Sequence, residues 1–219
     1  MVKLTDLKNI TEILKKFPKY LDGKESILYL KEKDYNWKQL EWIGWFFECW
    51  CKENLKLNVG NTYGKTIFDA NFMGYDFDYK AHCCHNFSGK ETPILITNDL
   101  EATKNTIEEH GSTYLIVANL EPIPDDNGLF KYWHDTLKGS ISKYCQDGIK
   151  NNRRSRKRKK SAICNSISIY EINNDTFNKY FSIFKQGKNS NGKERQLKVK
   201  VNINNLTPII EVKLGDNNG

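Results

Sequence analysis

Hydrophobic positions along this chain recur with two periods, and the change from one to the other marks the elements. Leu7, Ile10, Ile13 and Leu14 fall at helical spacing, so residues 6–16 read as a helix with Thr5 and Asp6 as caps and Pro18 beyond its end. Residues 36–53 predict a stronger helix carrying Trp37, Leu40, Trp42, Ile43, Trp45, Phe46, Phe47, Cys49 and Trp50. Its polar remainder, Glu41, Gly44, Glu48 and Lys52, keeps to one narrow line. A helix so apolar is expected to be buried nearly all round, and two carboxylates on its polar line then need a reason. Residues 65–71 are β-rich, 72–74 suit a tight turn, and 75–82 alternate strictly, which together predict a hairpin. Residues 99–110 read as a helix stopped by Gly111. Residues 112–120 (STYLIVANL) form an apolar run of the kind buried on both faces of a sheet. Strand, helix, strand in that order predicts a right-handed crossover in a mixed sheet. Beyond lie a helix over 129–149 broken near Gly139, a strand over 166–172, a helix over about 174–185, a loop over 186–193, strand-like segments to Leu214, and a frayed end at 215–219.

The expected fold is α/β, one mixed central sheet flanked by helices. It reads as a single domain over 1–214, with its core at about 36–120. Composition narrows the class. The chain has 219 residues, enough for one sizeable core. No run approaches the roughly 20 apolar residues that a membrane-spanning helix needs. The first residues alternate Lys with Leu and Ile and lack an apolar signal region. Aromatic residues make up 12% of the chain, too many for a disordered one. Six cysteines stand at 49, 51, 83, 84, 145 and 164 with no Cys-x-x-Cys among them. That spacing suits reduced thiols and a cytoplasmic location better than a zinc ribbon or a disulfide framework.

Charge adds a partner. The formal net charge is +7, and residues 150–160 (KNNRRSRKRKK) hold eight Lys or Arg and no acid. Setting those eight aside leaves 26 bases against 27 acids, so the excess is one local block on a nearly neutral body. A block of like charge repels itself and calls for a polyanion, here nucleic-acid phosphate. The plainer reading of the same block is a solvated segment.

The chemistry concentrates on the hairpin. By strand parity Tyr75, Phe77, Tyr79 and Ala81 point one way, and Asp76, Asp78, Lys80 and His82 the other. Asp69 on the preceding strand can reach Asp78 across the turn. Two adjacent carboxylates repel unless a cation lies between them, and a hard ion such as Mg²⁺ takes one or two carboxylates plus substrate phosphate. Lys80 adds a positive charge on the face of Asp78. The set supplies what phosphodiester hydrolysis needs. Asp76 is either a supporting ligand or an edge charge. His82, Cys83, Cys84 and His85 are clustered, but strand neighbours point oppositely and make a tetrahedral zinc site hard to build. His134 reads as a packing or DNA-facing residue.

On Asp69 followed by Asp78-Tyr79-Lys80, the chain resembles the PD-(D/E)xK nuclease superfamily, with Phe68-Asp69 where the family usually has Pro-Asp. The resemblance implies a restriction-endonuclease-like core and Mg²⁺ as cofactor. It implies Asp69, Asp78 and Lys80 as catalytic residues, with a helix glutamate joining Asp69 and Asp78 on the metal. Glu48 is the first choice for that glutamate and Glu41 the next. Among the members, a type II restriction endonuclease is the most similar, and residues 130–139 with 155–157, and 186–192, also resemble restriction-enzyme sequence. The expectation is therefore a homodimer that cuts double-stranded DNA at a short specific sequence, with a methyltransferase as genetic rather than physical partner. A structure-specific or repair nuclease with the same site, and a non-catalytic DNA-binding protein, are the alternatives. The DNA-contacting part is expected at about 128–200. Lys150, Arg153, Arg154, Arg156, Lys157 and Arg158 suit phosphates or guanine, and Gln186, Asn189 and Asn191 suit adenine.

Overall fold

The computed structural model describes residues 2–139, 141, 146, 150–151, 157–188 and 192–215. In chain order the elements are α1 (Lys8–Leu14), β1 (Tyr20–Asp22), α2 (Gly23–Glu32), α3 (Trp42–Leu55), β2 (Thr62–Tyr63), β3 (Thr66–Ile67), β4 (Ala70–Phe72), β5 (Tyr75–Cys83), β6 (Ile94–Asp99), α4 (Leu100–His110), β7 (Ser112–Pro124), α5 (Leu129–Leu137), β8 (Lys159–Asn173), α6 (Asn174–Tyr180), β9 (Phe181–Phe184), β10 (Lys198–Asn202) and β11 (Ile210–Lys213). The main sheet runs β1-β8-β7-β5-β4, and β11 also pairs with β8. Only β5 and β7 are parallel; the other pairs are antiparallel. A separate three-stranded sheet, β6-β10-β9, forms a second layer. The fold is thus mixed α/β, a curled mixed sheet with helices on its flanks.

Strand parity explains the layering. On β7, Tyr114, Ile116, Ala118 and Leu120 enter one core, shared with Phe77 and Tyr79 of β5 and with Trp42, Phe46, Phe47 and Cys51 of α3. Leu115 and Val117 enter a second core on the opposite face, with Tyr170 and Ile172 of β8, Phe177 of α6, and Val199 and Val201 of β10. A strand buried on both faces has no place for alternation, as its apolar run predicted. The helices α1, α2 and α3 cover the first face. The second face is shared between the small sheet, α4 and α6.

Several boundaries differ from expectation. The α3 helix starts at Trp42 rather than residue 36, because Asn36 takes a positive φ of 43° and Glu41 forms the cap. Leu40 is therefore exposed, and Trp45, Glu48 and Trp50 are half-buried, so the helix is not enclosed all round. The cap of α1 is Leu7 with no side-chain bond, and Asp6 instead accepts from the Lys3 amide at 3.1 Å. The expected helix over 174–185 ends at Tyr180, and the next four residues pair as β9 with β10. The strand expected over 166–172 runs from 159 to 173, because the equally long β7 offers it partners along its length. The β1 strand and the α2 helix had no counterpart in the sequence pattern. The expected break at Gly139 is real: α5 stops at Leu137 and Gly139 has φ 78°. Most of the residues beyond it to 149, and those at 216–219, lie outside the described residues. No helix among the described residues is long and apolar enough to cross a membrane. Cys49, Cys51, Cys83, Cys84 and Cys164 are free thiols, and Cys145 lies outside the described residues.

Candidate active site

The turn that builds the site is short. Met73 and Gly74 both take positive φ, 53° and 84°, which matches the right-handed twist of the two strands they join. The resulting register pairs Ala70 with Phe77 and Asn71 with Asp76. One further step sets Asp69 opposite Asp78. A segment outside the hairpin pins this end: the Phe68 amide donates to Asn61 O at 3.1 Å and the Asn71 amide to Asn58 O at 2.7 Å. Gly60 lies so close to Phe68 that a Cβ would meet the Phe68 backbone oxygen at 2.7 Å. Only glycine allows that approach, and it helps fix the backbone beside Asp69.

Asp69 and Asp78 then face each other in a nearly closed space. Asp69 Oδ2 accepts a hydrogen bond from the Tyr79 amide at 2.8 Å. Burial, then the charge of Asp78 and a hydrogen bond to it, push the Asp69 carboxyl up to about 9. Without a metal the Asp69 carboxyl therefore keeps its proton at neutral pH. Lys80 Nζ lies 2.5 Å from Asp78 Oδ2. Asp78 Oδ2 is itself buried, so this ion pair is held largely away from water. Burial opposes the ammonium charge, but Asp78 and Asp69 outweigh it, and Lys80 is held above its ordinary range.

Glu48 comes to this centre from α3, but it does not converge with the two aspartates as the sequence suggested. Its Oε1 accepts from Tyr35 OH at 2.5 Å and from Lys52 Nζ at 2.6 Å. Lys52 Nζ also lies 3.7 Å from Asp69 Oδ1. An ammonium thus stands between Glu48 and Asp69. Among the described residues no three of His, Cys, Asp and Glu are grouped to hold a metal ion. Of the three residues expected as ligands, Asp69 and Asp78 stand together and Glu48 is one cation away. Glu41 is further removed, as it pairs with Lys159 at 2.7 Å. Lys52 and Tyr35 escaped the sequence reading. The i, i+4 spacing of Glu48 and Lys52 was the available signal; Tyr35 offered none.

Asp76 is neither a ligand nor an edge charge. It is wholly buried and accepts from the Asn61 amide at 2.8 Å, Asn71 Nδ2 at 3.2 Å and Thr106 Oγ1 at 2.9 Å. It ties the hairpin to the 61 segment and to α4. His134 is a packing residue, 1% exposed, with Nε2 2.9 Å from Trp37 O.

The basic block is only partly described. Arg153, Arg154, Arg156, Asn189 and Asn191 lie outside the described residues. Lys150 is exposed. Lys157 is exposed and pairs with Asp126 at 2.7 Å. Arg158 departs from expectation: it is 9% exposed and turned inward, its guanidinium 3.8 Å from Asp135. A buried guanidinium needs a counter-ion, and Asp135 holds Arg158 away from solvent. Gln186 uses its amide to donate to Gln196 O at 3.0 Å. The block joins the sheet at Lys159, whose ammonium touches Cys83 as well as Glu41. Cys83 lies three residues along β5 from Lys80, roughly 10 Å at strand rise.

What the arrangement can do follows from its chemistry. A pair of adjacent, largely buried carboxylates suits a small hard cation. A neighbouring ammonium suits an anion carried with it. The chain matches no family model, no curated protein and no solved structure, so these residues are the ground on which its function is read.

Proposed function

We propose that this chain is a Mg²⁺-dependent endonuclease acting on double-stranded DNA, with a restriction-endonuclease-like core. The observation that carries the reading is the largely buried Asp69–Asp78 pair with the Lys80 ammonium 2.5 Å from Asp78 Oδ2. Two buried carboxylates forced together destabilise the metal-free protein, and such a cost is tolerable where a ligand removes it. The residues fit the ion: Asp69 and Asp78 would hold it, leaving its remaining positions for water and phosphate oxygens. Bound there, Mg²⁺ would supply a Lewis acid and lower the pKa of an attacking water.

The chain's own groups do the rest. Lys80 Nζ orients the nucleophile by donating a hydrogen bond and offsets negative charge gathering on the phosphoryl oxygens. The Tyr79 amide holds Asp69 in place. Glu48, fixed by Tyr35 and Lys52, seats the Lys52 ammonium beside Asp69. The basic stretch that enters β8 at Lys159 supplies phosphate contacts to the duplex. We read the cutting as sequence-specific and made by a homodimer, as in type II restriction endonucleases, because a two-fold protein matches a palindromic site.

The test is a plasmid digest with Mg²⁺ and with EDTA. Discrete Mg²⁺-dependent fragments are expected from the wild type. Asp78→Ala and Lys80→Ala should each lower the rate by at least about 10³-fold while DNA binding in Ca²⁺ persists. Cleavage surviving either substitution, or absent from the wild type on duplex, nicked and branched DNA alike, overturns the proposal.

A further inference from the structure

The lysine between Glu48 and Asp69 carries a consequence for how many metal ions the site takes. Lys52 Nζ reaches Glu48 Oε1 at 2.6 Å, Tyr35 OH at 2.8 Å and Asp69 Oδ1 at 3.7 Å. Tyr35 donates to the same Glu48 oxygen at 2.5 Å, so the ammonium sits in a built seat and not at the end of a loose side chain. Paired-metal nucleases and phosphatases hold their ions about 3.5–4 Å apart, with carboxylates shared between them. Here a side-chain cation, the Lys52 ammonium, stands 3.7 Å from Asp69 Oδ1 and bonds Glu48.

The charge count agrees. Glu48, Asp69 and Asp78 ionised, against Lys52 and Lys80, leave one negative charge. One divalent ion and one singly charged phosphodiester bring the centre to zero. A second divalent ion would leave two positive charges at the centre, which like-charge repulsion opposes. From this geometry we infer that Lys52 stands in for a second metal ion, so that the site binds a single divalent cation between Asp69 and Asp78. The inference rests on the metal-dependent reading of the site. Lys52 acts as a positioning residue: it holds Glu48 and Asp69 and touches no substrate.

Mn²⁺ titration of the full chain without DNA, by calorimetry and by electron paramagnetic resonance of the free ion, tests this, and the ions counted are those that Asp69→Asn no longer binds. The wild type is expected to take about one Mn²⁺, as is Lys52→Arg, which keeps the charge. Lys52→Met, which keeps the stem and removes the charge, should take about two. Glu48→Gln, whose carbonyl can still accept from Tyr35 and Lys52, should stay within about threefold of wild-type affinity, because Glu48 is not a direct ligand. Two ions in the wild type, one ion in a Lys52→Met protein with a wild-type circular dichroism spectrum, or a loss beyond about tenfold in Glu48→Gln each overturns the inference while leaving a metal-dependent nuclease standing. A wild type that takes no Mn²⁺ overturns both. Should Lys52→Met fail to fold, the wild-type count and Glu48→Gln still decide.

Discussion

Asp69→Asn isolates the electrostatics of the site without any substrate. Asparagine has the shape of aspartate: its Oδ1 can keep the hydrogen bond from the Tyr79 amide, now 2.8 Å from Asp69 Oδ2, and its Nδ2 can donate to Asp78. What changes is charge. The Asp69 carboxyl is pushed up to about 9 by burial and by Asp78, whereas an unfolded aspartate titrates near 3.9. Between those values the metal-free native state holds a proton that the unfolded chain has released. Stability therefore falls as pH rises through that window, by up to about 1.4 kcal/mol per pH unit for one proton. From pH 5 to 7 the wild type should lose up to about 3 kcal/mol relative to Asp69→Asn. For a chain of this size that is roughly 5–10 °C in melting temperature. The assay is urea unfolding of both proteins in EDTA at several pH values. Saturating Mg²⁺, at about 100 times its dissociation constant, should restore about 2.7 kcal/mol to the wild type and nothing to the variant. Parallel pH profiles for the two proteins, or equal stabilisation of both by Mg²⁺, refute the idea of a carboxylate pair awaiting a cation.

Two further outcomes follow from residues outside the metal pair. Asp76→Ala takes the acceptor from the Asn61 amide, Asn71 Nδ2 and the buried Thr106 Oγ1, so it should cost about 2–4 kcal/mol in chemical denaturation; a loss below about 1 kcal/mol contradicts the clamp. Replacing Arg153, Arg154 and Arg156 with Gln should weaken DNA binding and flatten its log–log salt dependence by roughly one unit for each phosphate that is no longer neutralised; an unchanged slope removes the block from the interface.

Local pattern carried a good part of this molecule. Parity along residues 75–82 put Asp78 and Lys80 on one face, and the turn residues Met73 and Gly74 allowed a tight hairpin with Asp69 opposite Asp78, because period and turn chemistry are properties of neighbouring residues. The apolar run of β7 announced a strand buried on both faces for the same reason. The Gly111 and Gly139 stops were equally local. By contrast, β9 follows a helix where a longer helix was expected, because pairing with β10 outweighed local propensity. Asp76 looked like its neighbour Asp78 in sequence, yet one is a clamp and the other faces Asp69. The difference is set by Asn61, Asn71 and Thr106, which lie 5–30 positions away.

The sequence by itself decided which residue types share a strand face, where chain direction reverses, and that positive charge is gathered in one block. Only the tertiary structure decided that Lys52 and Tyr35 reach Glu48, that Arg158 turns inward to Asp135, and that burial beside Asp78 pushes the Asp69 carboxyl up. Periodicity is transmitted through one backbone and can be read along it. Proximity between charges on separate elements, and the desolvation that gives it force, exist only once the packed layers bring those elements together.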